Sequence, residues 1–592
     1  MSERKLLKSG EFIVNEIDAN DIFIPEEFNE EQRMIAQTCR DFIEAEVYPR
    51  LNDIDKGDRE LMKNILKKSG ELGMLGIAVP EKYNGFGQNF ITQMLVAEVT
   101  GAGYSFSVAY MCHCGIGTMP ILYYGNEEQR QKYVSRLATG ELIGAYCLTE
   151  PGAGSDANSG KTTAKLSDDG KYYILNGQKM WITNAGFADT QVVFAKVEND
   201  RVLSAFIVES KWPGVVIGPD EHKMGIKGSS TAQVYYNDVK VPVENMLGNR
   251  GEGFRIALSI LHMGRMKLGA NVIGAAKETI TQSVRYANER KQFNTKIANF
   301  GAIKHKLAEM VIRTFAHESA IYRVSQDIDD LIEKYRAEGC EYGRAAIDAI
   351  SHYAVEDAIL KVNGSEMLDF VVDEGVQIHG GMGYSAEMNV ERSYRDSRIN
   401  RIFEGTNEIN RLLVIDTAIK RSLKGDFDLM GQAEQLYSNL DGIVAEVGSS
   451  DYYGQKMQAI RNIKKVAMLG IYGASKAFGK QFASEQEVQN NISNIIMDLY
   501  VAESLALRVK KLEAMGYQNI GIYKDILDVF LYDATDRVRK NAMDAANSFA
   551  MEPDLSSLIA AIDRLCMVPA VNVKDARRRI ADKLIDDNEY KF

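Results

Sequence analysis

Glu404 stands between Phe403 and Gly405 in the stretch that runs from Arg401 to Arg411. An aromatic neighbour brings apolar surface, and apolar surface raises the pKa of a carboxyl group. A following glycine lets the backbone take angles that other residues avoid, or lets a ligand approach closely. An acid near a helix start also serves as a cap, and these residues alone leave that plainer reading open. Three more segments carry chemistry. Cys147 to Ser159 is rich in glycine, hydroxyls and free backbone donors, a turn that can hold a planar heterocycle or a phosphate. Trp181 is one of two tryptophans. Its ring can cover a flat cofactor or can simply be core. Gln377 to Asp396 contains "GGMGYS", but no strand–turn–helix setting supports a dinucleotide-binding loop there. Cys112-His113-Cys114 lacks the second pair that zinc spacing requires, so no metal is expected.

The elements that must position these groups follow from patterning. Ten prolines occur, none between Pro242 and Pro553, which suits long continuous helices. Ile492, Ile495, Ile496, Leu499, Leu505, Val509 and Leu512 recur at helical spacing. So do Ile526, Leu527, Phe530, Ala534, Val538, Ala542, Ala545 and Phe549. The middle of the chain is rich in Val, Tyr, Phe and Ile, and Asn176-Gly177 predicts a hairpin turn between two strands. The expected fold is mainly α with a central β domain. It divides into an N-terminal segment (1–29), an N-terminal helical domain (30–145), a middle β domain (146–250), a helical bundle (251–425) and a helical extension (430–592).

Charge and composition exclude several classes. The 592 residues carry a net charge of -12, which argues against charge-driven binding to nucleic acid or anionic membrane. Six scattered cysteines fit reduced thiols in a cytoplasmic setting. Neither a signal core, nor a transit peptide, nor an apolar run of spanning length is evident. No GxSxG, HExxH or P-loop motif is present.

"CLTEPGAGSD", "QIHGGMGYSAEMNVERSYRD", "WIT", "ERKQF" and "FEGTNEI" occur in order, and together they resemble the acyl-CoA dehydrogenase family over about residues 30 to 425. The long helical tail resembles its larger, very-long-chain members. The resemblance implies an N-terminal helical domain, a barrel-like β domain and a four-helix bundle. It also implies FAD, and oxidation of an acyl-CoA to the trans-2-enoyl-CoA in fatty-acid β-oxidation. Electrons would pass to electron-transferring flavoprotein. Glu404 is then the base that removes the Cα proton, Phe403 and Gly405 shape its site, and a raised pKa suits its task. Relatives that carry the base elsewhere place it at a position matching Gly264, which has no carboxylate. Arg265, beside it, is either an active-site arginine or one half of an ion pair.

FAD contacts carry over to Tyr146, Leu148, Thr149, Gly154, Ser155, Trp181 and Thr183. Arg290, Gln292, Phe293, Gln377, Gly380 and Gly381 match the set that grips FAD across a homodimer interface. Thr406 and Glu408 should reach the dinucleotide. Ser155 also faces substrate. Val108 and Cys112 fall where medium-chain relatives carry bulkier polar groups, so a longer acyl chain should fit. In very-long-chain relatives the tail replaces a second dimer and is linked to membrane association; here the basic run Arg577 to Arg579 is either a solvated face or a docking patch. An acyl-CoA oxidase, and a non-catalytic member kept for assembly or binding, are the alternative readings.

Overall fold

The computed structural model describes residues 4–592, so residues 1–3 of the N-terminal segment fall outside it. Four longer helices open the chain: α1 (Glu30–Phe42), α2 (Arg59–Glu71), α3 (Phe90–Thr100) and α4 (Ser105–Met111). Their starts are chemically marked. Asn29 caps α1 and Asn89 caps α3, each side chain accepting a backbone N–H three residues on, which satisfies a donor the helix leaves free. α3 is buried on all sides; it is mostly apolar, and its one charged group, Glu98, is held by Lys277 and Tyr322.

Eight strands follow: β1 (Gly144–Cys147), β2 (Thr163–Leu166), β3 (Tyr172–Thr183), β4 (Thr190–Val197), β5 (Ser204–Glu209), β6 (Val215–Asp220), β7 (Thr231–Pro242) and β8 (Met246–Leu247). They form one sheet in the order β6-β7-β3-β2-β4-β5-β8, with β1 parallel to β4. Asn176-Gly177 is not a hairpin turn. It lies inside β3, where the pairing with β7 slips at a bulge. β7 is long enough to pair with both halves of β3, so the chain runs straight through. Gly177 is required there because a Cβ would meet the Thr162 side chain at 2.5 Å. The reversal into β3 comes instead at Asp168-Asp169-Gly170, where Gly170 has φ +70°.

The bundle comprises α5 (Gly253–Glu289), α6 (Gly301–Ala337), α7 (Tyr342–His352), α8 (Ala354–His379), α9 (Asn389–Ser397) and α10 (Asn407–Leu423). α5 packs on α8, α6 and α3, and α8 packs on α10. The extension contributes α11 (Leu429–Tyr437), α12 (Tyr452–Phe478), α13 (Gln486–Ala514), α14 (Ile520–Phe549), α15 (Asp554–Leu565) and α16 (Val573–Asp587). Its α13 lies against α6, so the extension shares a core with the bundle.

That junction is ionic as well as apolar. Glu503 of α13 sits fully buried between Arg323 of α6 at 2.9 Å and Lys464 of α12 at 2.6 Å. The geometry is that of ion contacts rather than aligned hydrogen bonds. Arg508 bridges Glu318 at 2.8 Å and Glu26 at 2.7 Å. Glu26 belongs to the N-terminal segment, which is wedged into the same junction. There Phe12 packs on Tyr500, Arg4 pairs with Asp327, and Lys464 Nζ donates to the Asn15 carbonyl. The basic run is also drawn inward. Arg577 pairs with Glu309 and Asp533, and Arg579 pairs with Asp525, so two of its three arginines are committed within the molecule. Among the described residues no helix is long and apolar enough to cross a membrane.

Candidate active site

Glu404 lies on the short connection into α10. The cap of that helix is Thr406, whose Oγ1 accepts the Ile409 N–H at 3.3 Å. Glu404 is therefore free of the capping role. Its φ is +58° and that of Gly405 is +82°. A left-handed non-glycine residue costs on the order of 1–3 kcal/mol and must be held by its surroundings. Three side chains do so. Arg265 Nε donates to the Glu404 carbonyl at 3.2 Å, and Lys361 Nζ and Asn410 Nδ2 donate to the Gly405 carbonyl at 2.7 and 2.8 Å.

The residue as a whole keeps some exposure, but its Oε2 is sealed off and has no hydrogen-bond partner. The carboxylate rests on Gly264, where a Cβ would come within 2.5 Å of Oε2. Burial pushes the Glu404 pKa up to about 7; Arg265 and Lys361 pull it down without cancelling the effect. Phe403 packs partly buried against the core beside it.

Arg265 forms no ion pair at contact distance. Its Nη1 lies 3.4 Å from His262 Nδ1. The nearby Asp357 is fully buried with no hydrogen bond to either oxygen, its Oδ2 lying 3.4 Å from His262 Nδ1, and burial followed by Glu356 pushes its pKa well up. Arg265 opposes that rise, and among the described residues no carboxylate lies at ion-pair distance from its guanidinium.

Cys112 begins the π-helical turn after α4. Its thiol lies 3.6 Å from the Thr183 carbonyl. Burial, then Cys147 and Glu404, raise its pKa. His113 is a satisfied core histidine, held by the Leu137 carbonyl and the Gly144 N–H. One turn before Cys112, Val108 lines a cavity of about 50 Å³ with Tyr104, Asn271, Ala275, Leu368 and Val372.

The glycine-rich turn follows β1. Tyr146 and Leu148 are buried, whereas Gly154 and Ser155 are exposed. A Glu150–Ala153 bridge closes the turn. Beneath it, the buried Glu150 carboxylate takes Lys179 Nζ at 2.7 Å and the Thr162 N–H at 3.1 Å. Thr149 is tied to the next strand through the Met180 N–H. Trp181 is 54% exposed with φ +60°, so it is no core tryptophan. Thr183 lies two residues on, at the end of the strand.

Arg290, Gln292, Phe293, Gln377, Gly380 and Gly381 are exposed together at the far ends of α5 and α8. The Tyr286 and His379 rings join the two ends, stacked at 4.3 Å. Phe293 is 89% exposed. About 37 Å of continuous helix separates Arg290 from Arg265, at 1.5 Å per residue. These six residues are thus not brought to the Glu404 of their own chain. Glu408 is exposed on the first turn of α10.

Sequence reasoning missed Lys361, Asn410 and the Lys179–Glu150 pair. Lys361 had a signal: it is a lone cation within Ala358-Ile359-Leu360-Lys361-Val362. Asn410, inside the opening stretch, had none.

A helical domain, a sheet domain and a helical bundle, with a buried carboxylate between α5 and α10, define the class of the protein. Models described as the acyl-CoA dehydrogenase N-terminal, middle and C-terminal domains match residues 29–141, 145–239 and 251–419. A further acyl-CoA dehydrogenase C-terminal domain model matches residues 462–564. A probable acyl-CoA dehydrogenase of Bacillus subtilis is 42% identical over 584 residues, 98% of each chain. A very long-chain specific mitochondrial acyl-CoA dehydrogenase of Rattus norvegicus is 34% identical, over 84% of this chain and 78% of its own. The crystal structure of an acyl-CoA dehydrogenase complexed with FAD from Bacillus anthracis matches with a TM-score of 0.96 and 41% identity, over 99% of this chain and 100% of that one. The chain belongs to the acyl-CoA dehydrogenase family and is an oxidoreductase of that kind.

Proposed function

We propose that the protein is a FAD-dependent dehydrogenase of long-chain saturated acyl-CoA thioesters. It forms the trans-2-enoyl-CoA of fatty-acid β-oxidation and passes electrons to electron-transferring flavoprotein. The observation that carries this reading is the Glu404 carboxylate, sealed, unpartnered and near neutral in pKa. A general base works best when its pKa lies near the operating pH.

The residues present fit FAD. The Gly152–Ser155 turn has open space around Gly152 and Gly154, and Trp181 offers an exposed ring beside it. FAD, when bound, supplies the acceptor for the hydride that leaves Cβ. Glu404 Oε2 takes the Cα proton. Gly405 leaves room for the thioester, and the Glu404 backbone N–H faces its carbonyl oxygen as charge develops there. Val108 and Cys112 are small side chains on the helix expected to line the acyl path, which favours a long chain. The test is anaerobic bleaching of the flavin by saturated acyl-CoAs of rising length, repeated in air to score oxidase behaviour. Rates should climb toward long chains and oxygen should reoxidise slowly. A preference for short chains would overturn the substrate assignment.

The distance between the Arg290–Gln377 cluster and Glu404 supports a shared site, in which the cluster serves the FAD of a second copy. The extension covers α6 and supports a dimer rather than a tetramer. Light scattering of the FAD-loaded protein should report a dimer. A stable FAD-loaded monomer would refute the shared site, and a tetramer would refute the role given to the extension.

A further inference from the structure

We propose that Lys361 is a positioning residue, which locks the Glu404–Gly405 backbone in its left-handed form and supplies a facing positive charge to the Glu404 carboxylate. This rests on Glu404 being the base.

Lys361 belongs to the middle of α8, and its side chain is fully buried. A buried ammonium is costly unless it is paired and hydrogen-bonded. Among the described residues no carboxylate lies at ion-pair distance from it. Its partners are instead the Gly405 carbonyl and Asn407 Oδ1, both at 2.7 Å. Asn407 is itself fixed, accepting from Ser365 Oγ at 3.2 Å and donating to Glu366 Oε1 at 3.1 Å. The ammonium is therefore spent on the two residues that flank Thr406, directly after the base. Without it the Gly405 carbonyl keeps Asn410 alone, and two consecutive left-handed residues lose a tether.

The charge acts in the same place. The groups that face Glu404 are Arg265 from α5, Lys361 from α8, Cys112 from the end of α4 and Tyr146 from β1; Asp357 of α8 faces Arg265, and Glu408 of α10 and Glu366 of α8 face Lys361. Of these, only Arg265 and Lys361 favour the ionised carboxylate. Burial pushes the Lys361 pKa down to about 7, and Glu404 is the first charge that opposes this. Each group supports the charged form of the other. Loss of Lys361 therefore raises the Glu404 pKa, and more alkaline solution is needed to ionise the base.

The experiment uses the FAD-loaded full chain and three variants. Lys361→Met removes donor and charge, Lys361→Gln keeps a donor without charge, and Lys361→Arg keeps both. Stopped-flow flavin bleaching by the best saturated acyl-CoA is recorded across the neutral pH range, with FAD content and thermal midpoint measured alongside. The parent should lose rate below a limb near pH 7, because protonated Glu404 cannot accept the Cα proton. Lys361→Met should react about tenfold more slowly or worse, with its acid limb about one pH unit higher, the low end expected for losing an opposite charge. Lys361→Gln should recover rate but keep the shifted limb, and Lys361→Arg should bring the limb back.

A Lys361→Met protein with parental rate and limb overturns the proposal. An unshifted limb in Lys361→Gln overturns the charge role, even if Lys361→Met fails to fold. Glu404→Gln, run in parallel, separates the two readings. If it bleaches at the parental rate, the base assignment falls and this proposal falls with it. If it is inactive while Lys361→Met is unaltered, only this proposal falls.

Discussion

Glu404→Gln should retain FAD and acyl-CoA binding while flavin reduction slows by about 10²–10⁴-fold, the usual contribution of a positioned base. Gln is nearly isosteric, so the contacts with Phe403 and Gly264 survive. Its amide cannot accept the Cα proton, and position 264 offers no second carboxylate. The structure also says how a base could be moved. A Cβ at position 264 would meet the Glu404 carboxylate at 2.5 Å, so a full-length side chain at 404 blocks any residue there. Glu404→Ala combined with Gly264→Glu clears that space and should regain part of the lost rate. Anaerobic stopped-flow bleaching measures both. A Glu404→Gln protein that bleaches at the parental rate would place the base elsewhere.

The second large effect is on stability. Glu503→Ala leaves Arg323 and Lys464 facing each other in the junction between α6, α12 and α13, with no anion between them. Removing one partner of a buried ionic group typically costs about 3–5 kcal/mol. Thermal unfolding followed by circular dichroism should show a clear drop in midpoint. Replacing all three residues together with Leu and Met should recover most of it, because the penalty comes from unpaired charge and not from lost attraction. A Glu503→Ala midpoint equal to the parent's would show that the junction is held by apolar packing alone. Acid should act in the same direction. Burial would raise the Glu503 pKa, but Lys464 and Arg323 outweigh it and hold it below the usual value. A lowered folded pKa gives stability that is present above the ordinary glutamate range and lost as pH falls through the folded value.

What could be read in advance differed by kind of feature. The periodic residues of α13 and α14 are buried almost without exception, because a repeat of apolar groups reports which face meets the core. The Glu404 stretch and the Trp181 strand were legible because side-chain type and neighbours carry the chemistry there. Asn176-Gly177 misled because a turn dipeptide and a bulge use the same residues; only the length of β7, a partner remote in sequence, decides between them. Lys361 stayed hidden because its partners are backbone and amide oxygens that the fold brings together from another helix. The N-terminal segment gave no sign of its place, since Glu26 reads as a surface acid until Arg508 is set beside it.

That placement governs how the chain is made. Glu26 and Arg508 lie 482 residues apart. At roughly 5–20 residues per second of synthesis, the N-terminal arm waits on the order of half a minute or more before its partner leaves the ribosome. Until then Arg323 of α6 lacks Glu503, Glu318 has Lys277 of α5 but not Arg508, and the arm lacks its partners on α13. The contacts between the N-terminal arm and α13 therefore form only after most of the chain has been made. This closure joins the beginning of the chain to residues of the extension, so a chain cut short before α13 leaves Glu26 and Glu27 without Arg508 and Lys511.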